Sequence, residues 1–303
     1  TFVVCAMVVA RRALAAHIYV SEGRDAAFVS KLARIGVAAG GAALANEFVD
    51  AAYHRAGITL AATEDAALEA GVAAVCREAL SALDLRQHTA THPRVGVVDH
   101  VACNPLGGAT CTEAAALARR IGQRLGRPES GPALPVYLYG AARQDERSLA
   151  ELRRSLGYFA GARRGEWTGL STEMEAAMRT LAPDFGPAEC KPEHGSVVVG
   201  AVPWVHNYNL LVTANGLGEP ELLEKCRRIA RAVSTRGGGP VGVETMALPH
   251  ERGVEVACNL LDASRTPPED VRARVAALCD EEGVTLEADY FTNKRPEEIL
   301  ALV

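Results

Sequence analysis

Apolar residues recur along this chain with two periods, and the switches between them predict the elements. The run Ala16 to Val20 predicts a strand, and Ser21-Glu22-Gly23 a turn. Phe28, Leu32 and Ile35 share one helical face, predicting a helix from Asp25 to Ile35 that Gly36 to Gly41 breaks. Strands are expected at Leu44 to Asp50 and Gly57 to Ala61. A long helix carries Leu68, Val72, Val75, Ala79 and Leu83, and Arg94 to Val101 reads as a near-continuous apolar strand. Leu117, Ile121 and Leu125 mark a helix stopped by Gly126; Pro135 to Tyr139 is the next strand and Glu146 to Leu156 the next helix, with further helical material to Leu181.

The second half repeats the alternation. Val197 to Ala201 is expected as its leading strand and Trp204 to Thr213 as the next, before a helix whose Leu222, Cys226, Ile229 and Val233 share one side. Gly237-Gly238-Gly239 ends that helix, since each glycine costs a helix about 1 kcal/mol relative to alanine. Gly242 to Leu248 and Gly253 to Leu260 form a hairpin. A helix capped by Thr266 carries Val271, Val275 and Leu278, and a strand follows from Val284 to Ala288. The order predicts an α/β (α+β) protein of two ferredoxin-like βαββαβ subdomains, 16–182 and 183–303, preceded by an extension, 1–15. Pro183 to Pro187 is a ready hinge or lid. Each sheet leaves one face without helices, so the two faces are expected either to pack on each other or to leave a cleft between the subdomains, the usual place for a ligand.

Composition narrows the partners. A formal net charge of -5 gives no general attraction to nucleic acid or to an anionic membrane, so any anion site is local. Eight cysteines without C-x-x-C spacing suit a reducing compartment, and a cytoplasmic location is expected. The apolar run before Arg11 and Arg12 is too short to span a bilayer, and its order of charge is inverted relative to a signal peptide. A start at Thr1 suggests lost upstream residues. His88 and His92 have H-x-x-x-H spacing, but Pro93 biases His92 away from helix, and no metal site is expected. Gly237 to Gly242 matches G-x-G-x-x-G by letter, yet follows a helix and opens a strand, the reverse of a dinucleotide site.

The candidate chemistry gathers at Thr91-His92-Pro93-Arg94-Val95-Gly96, with Asp99 further along. His92 is either a surface or packed histidine or a proton carrier; Arg94 is suited to a carboxylate, and Asp99 to orienting the imidazole. Tyr137 and Tyr139 share one strand face, as do Asn207 and Asn209, and each pair reads either as packing or solvated surface or as cleft lining.

Ser21-Glu22-Gly23-Arg24, His92 to Gly96 with Asp99, Tyr137-Leu138-Tyr139-Gly140, Pro183-Asp184-Phe185-Gly186-Pro187 and Asn207-Tyr208-Asn209-Leu210 stand in the order of the formiminotransferase domain of glutamate formiminotransferases and formiminotransferase-cyclodeaminases. The resemblance covers nearly all of 16–303 and is similar to the plant-type single-domain branch. It implies two α/β subdomains whose sheets face each other across a ligand tunnel, a homodimer and a tetrahydrofolate cosubstrate, with transfer of a formimino group from formiminoglutamate to the folate. It also implies His92 as acid/base and places Asp184, Phe185 and Gly186 at the folate, with Arg94, Gly96, Asp99, Tyr137, Tyr139, Asn207 and Asn209 in the binding site. The chain departs from the family pattern at His17-Ile18-Tyr19, Thr91, His54-Arg55, Asn104 to Gly108 and Val202-Pro203, changing several substrate-side polar groups while keeping His92. A formyl donor such as 5-formyltetrahydrofolate, or folate binding without transfer, are the alternatives.

Overall fold

A computed structural model describes residues 11–160 and 166–303. The chain begins with β1 (Arg12–Val20), α1 (Ala26–Gly40), β2 (Ala43–Asp50), β3 (Arg55–Ala62) and α2 (Asp65–Ala82). It continues through β4 (Thr89–Ala90), β5 (Val98–Gly107), α3 (Cys111–Leu125), β6 (Val136–Gly140), α4 (Leu149–Ser155), β7 (Trp167–Thr168), α5 (Thr172–Thr180) and β8 (Val197–Ala201). The last part is β9 (His206–Thr213), α6 (Glu219–Val233), β10 (Val243–His250), β11 (Gly253–Leu260), α7 (Pro268–Glu282), β12 (Thr285–Phe291) and α8 (Pro296–Leu300). Residues 1–10 of the expected extension lie outside the described residues, and 12–15 belong to β1. Among the described residues no helix is long and apolar enough to cross a membrane.

Two main sheets result, ordered β2-β3-β1-β5-β8-β6 and β10-β11-β9-β12. Strand alternation assigns their faces. In the first sheet Leu14, Ala16, Ile18, Ile58, Leu60, Val101 and Cys103 pack with α1, α2 and α3 in one core. In the second, Tyr208, Leu210, Val212, Val254 and Val256 pack with α6 and α7 in another. The opposite faces, bearing His17, Tyr19, His100, Asn207 and Asn209, look toward each other across a shared cavity. Two smaller apolar clusters stand beside it. Tyr137, Tyr139 and Val198 pack with α4 and α5 on one flank, while Ala13, Ala15 and Leu106 pack with Trp204 and Ile299 on the other.

Three details differ from the sequence expectation. α1 runs past Gly36 to Gly40 and ends at Gly41, whose φ of 74° suits glycine. Gly36 faces Gly71 of α2, where an added Cβ on Gly71 would lie 2.8 Å from the Gly36 carbonyl oxygen. These glycines let two helices touch, so Gly36 is a packing residue and no stop. β5 begins at Val98 and extends to Gly107, because residues 93–97 are bent and Gly96 runs against the 195–196 backbone. An added Cβ on Gly96 would stand 2.0 Å from the Ser196 carbonyl oxygen.

The third difference is β8. It lies in the first sheet, parallel to both β5 and β6, and the second sheet starts at β9. Nor does 183–187 hang free. Val136 N–H donates to the Phe185 carbonyl at 2.9 Å, Leu138 N–H to Asp184 Oδ2 at 2.7 Å, and Arg143 pairs with Asp184 at 2.5 Å. An apolar run reports burial but no partner strand, so 197–201 fits either sheet by pattern alone.

Candidate functional site

The cavity between the sheets measures about 840 Å³. His92 lines it. Pro93 carbonyl can only accept, so the 2.7 Å contact from His92 Nδ1 fixes the proton on Nδ1 and leaves the Nε2 lone pair free. Tyr53 and Tyr158 flank the ring, with centroids 5.6 and 6.3 Å away. Burial and the nearby Arg55 guanidinium, opposed in part by Asp99, push the imidazole pKa down to about 3. At neutral pH His92 is therefore uncharged, in the form that takes a proton.

Asp99 is fully buried and does not orient His92. Its carboxylate accepts from Val95 N–H at 2.7 Å and from Arg55 at 2.6 Å, with Arg153 at 3.5 Å. Burial alone would raise its pKa, but Arg55 and Arg153 hold it well below the usual carboxylate range. Arg55 and Arg153 both line the cavity, so two guanidiniums share one carboxylate there. Arg153 is brought in by α4, whose start is fixed by a capping box between Ser148 and Glu151.

A second aromatic and imidazole group stands on the first sheet. β1 and β5 register Tyr19 against His100, and their rings stack at 5.3 Å with 4° between planes. Arg55 lies 4.6 Å from the Tyr19 centroid, a cation–π arrangement. His100 Nε2 meets Tyr139 Oη at 2.7 Å, and burial drives His100 well below the ordinary imidazole range.

The expected site residues divide. His92, Tyr139, Asn207 and Asn209 line the cavity. Arg94, Gly96, Asp99, Tyr137, Asp184, Phe185 and Gly186 do not. Arg94 is buried and turned to the His92 carbonyl and His88 Nε2, so it holds the histidine turn where a carboxylate-binding role was expected. Tyr137 donates to the Leu181 carbonyl at 3.1 Å. Phe185 packs on the helical side of the first sheet, where Gly122 approaches it. Sequence reading missed Tyr19, Arg55, His100, Arg153 and Glu244 as lining residues. Strand alternation was the available signal for Tyr19 and His100; a helical arginine such as Arg153 carried none.

Across the cavity a tie joins the sheets. The buried Glu255 carboxylate of β11 accepts from Tyr53 Oη at 2.5 Å, Tyr290 Oη at 2.6 Å and Asn209 Nδ2 at 2.7 Å. Tyr53 belongs to the first sheet's β2–β3 turn. Tyr53→Phe removes one donor from a buried carboxylate and is expected to lower stability by about 1.5–3 kcal/mol, read from the urea midpoint at constant slope.

Fold and cavity together define an α/β small-molecule protein whose site lies between two facing sheets and is lined by imidazole, guanidinium and amide groups. Residues 13–202 match the formiminotransferase domain, N-terminal subdomain. The chain belongs to the formiminotransferase family. It is 39% identical over 289 residues to the formiminotransferase cyclodeaminase-like protein of Arabidopsis thaliana, covering 93% of each chain. With the formimidoyltransferase-cyclodeaminase of Gallus gallus it shares 32% identity over 82% of this chain and 43% of that protein. With the glutamate formimidoyltransferase of Thermoplasma acidophilum it shares 28% over 82% of this chain and 76% of that protein.

Proposed function

We propose that this protein is a folate-dependent one-carbon transferase that moves the formimino group of formiminoglutamate to tetrahydrofolate, with His92 as acid/base. The observation that carries this reading is His92 itself: a neutral imidazole with a free Nε2, on the wall of a cavity in a formiminotransferase-family chain. The cavity falls within the range of about 300–1,000 Å³ typical of drug-sized ligand sites. As a folate ring nitrogen bonds to the formimino carbon, His92 Nε2 takes the proton that nitrogen releases. It returns that proton to the glutamate nitrogen as the old carbon–nitrogen bond breaks, so one proton is shuttled and none is consumed. Arg55 and Arg153, with one carboxylate between them, receive the anionic end of a glutamate-bearing substrate.

Seven free cysteines among the described residues support a reducing, cytoplasmic setting, and the homodimer is carried over with the family. The test incubates purified protein with tetrahydrofolate and formiminoglutamate and follows formimino- and methenyl-folate by absorbance. Product formation is expected. Formyl transfer from 5-formyltetrahydrofolate to added glutamate, releasing tetrahydrofolate, with none from formiminoglutamate, would reassign the donor; folate binding with no transfer from either donor would make this a binding protein.

A further inference from the structure

The cavity holds one polar strip that the proton shuttle does not use. On the second sheet Asn207 of β9, Asn259 of β11 and Glu244 of β10 stand side by side, since β11 registers Asn259 against both Asn207 and Glu244. All three line the cavity. Their hydrogen bonds run in one direction. Tyr19 Oη of the first sheet donates to Asn207 Oδ1 at 3.1 Å and Asn207 Nδ2 donates to Asn259 Oδ1 at 2.7 Å, which leaves the Asn259 amide N–H groups as the donors beside Glu244, its register neighbour. A carboxylate only accepts, so this polarity suits Glu244 at its end.

Glu244 is left short of donors. The other carboxylate lining the cavity, Asp50, has both oxygens engaged, by Tyr53 N–H at 2.7 Å and by His250 at 3.4 Å. Glu244 has Asn259 beside it as its one side-chain donor and forms no ion pair among the described residues. Burial holds its pKa above the ordinary carboxylate range, offset only in part by Arg153 and Arg154. A half-buried carboxyl in that state needs donors, and the cavity side is where they can arrive.

We propose that Glu244, steered by Asn259 and Asn207, is the acceptor for an amidine-type fork on the ligand, two N–H groups held in one plane about a single carbon. A carboxylate meets such a fork with two parallel hydrogen bonds, as it meets guanidinium. Resting on the folate reading, this chemistry has two sources: the 2-amino-4-oxopyrimidine edge of the folate ring, with its ring N–H and amino group, or the formamidine of the donor. Gln at this position would keep one acceptor and turn an N–H toward the fork.

The test is calorimetric titration of wild type and Glu244→Gln with folic acid, its 2-desamino-2-methyl analogue and N-formimino-L-glutamate, each alone. A loss of about 10- to 100-fold in folic acid affinity, with the analogue bound equally by both proteins, supports the pyrimidine edge as the source. Unchanged folic acid affinity with a similar loss for formiminoglutamate supports the formamidine. Unchanged affinity for both overturns the proposal, as does an equal loss for the analogue, which would mark general damage. Should Glu244→Gln melt early, Glu244→Asp keeps the charge, withdraws it by one methylene, and is expected to show a smaller loss of the same pattern. Wild type binding neither ligand would sink the folate reading itself, an outcome distinct from the variant's behaviour.

Discussion

His92→Ala is expected to lower the transfer rate by about 10²- to 10⁴-fold while folate binding persists. The size follows from the role: one proton must move from the nucleophile to the leaving nitrogen, and water is a poorer carrier than a held imidazole. The ring is set for that task by its Nδ1 contact to Pro93, which leaves Nε2 as the only site for an incoming proton. A pKa near 3 makes the free protein's imidazole a weak base. Burial is the main cause of that depression and Arg55 and Arg153 add to it, so a bound carboxylate that neutralises them raises the pKa. The two kinetic profiles should therefore separate. kcat/KM, which reports the free protein, should show no acid limb from His92 near its ordinary value of about 6.5, falling only as the pH approaches the depressed pKa. kcat, which reports the complex, should show its loss on acidification at a higher pH than kcat/KM does. A rate unaffected by His92→Ala would remove the histidine from the mechanism.

The sequence showed more of the fold than of the site, for a physical reason. Burial is periodic, so Ile18, Ile58 and Leu60 on one face, and Leu222, Cys226, Ile229 and Val233 on one helix, announce their elements. Partner choice is not periodic, and β8 reads equally well in either sheet. Chemistry is less legible still. Arg94 sits two residues from His92 and looks like a substrate anchor, but the bend at 93–97 turns its guanidinium inward to the His92 carbonyl. Arg153, 54 positions beyond Asp99, reaches the cavity because α4 folds over the first sheet. Glu244 and Asn259 lie on adjacent strands, and only the β10–β11 register makes them neighbours. Asp99 was visible as a carboxylate near His92, while its work, gathering Arg55, Arg153 and Val95 N–H, depends on three separate segments.

That work makes Asp99→Asn the substitution expected to cost most stability, about 3–5 kcal/mol. Asn is nearly isosteric, so packing is kept while the negative charge goes. Arg55 and Arg153 are each only 13% exposed at the side chain and would be left facing each other without a counter-ion. The same change puts an amide N–H where Val95 N–H now finds its acceptor, or else spends the remaining oxygen on Val95 and leaves Arg55 unmet. A fall on the order of 10 °C in melting midpoint is expected at neutral pH. The pH dependence separates this from a packing defect. Asp99's pKa is depressed in the folded state, so its stabilisation is complete above the unfolded value of about 3.9 and is lost as the pH falls through the folded one. The difference between wild type and Asp99→Asn should thus stay constant from neutral pH to about pH 4 and shrink below it. A difference that stays constant under further acidification would mean that charge is not what Asp99 supplies. Adding Arg153→Met to Asp99→Asn should recover part of the loss, since it removes one of the two charges left unpaired.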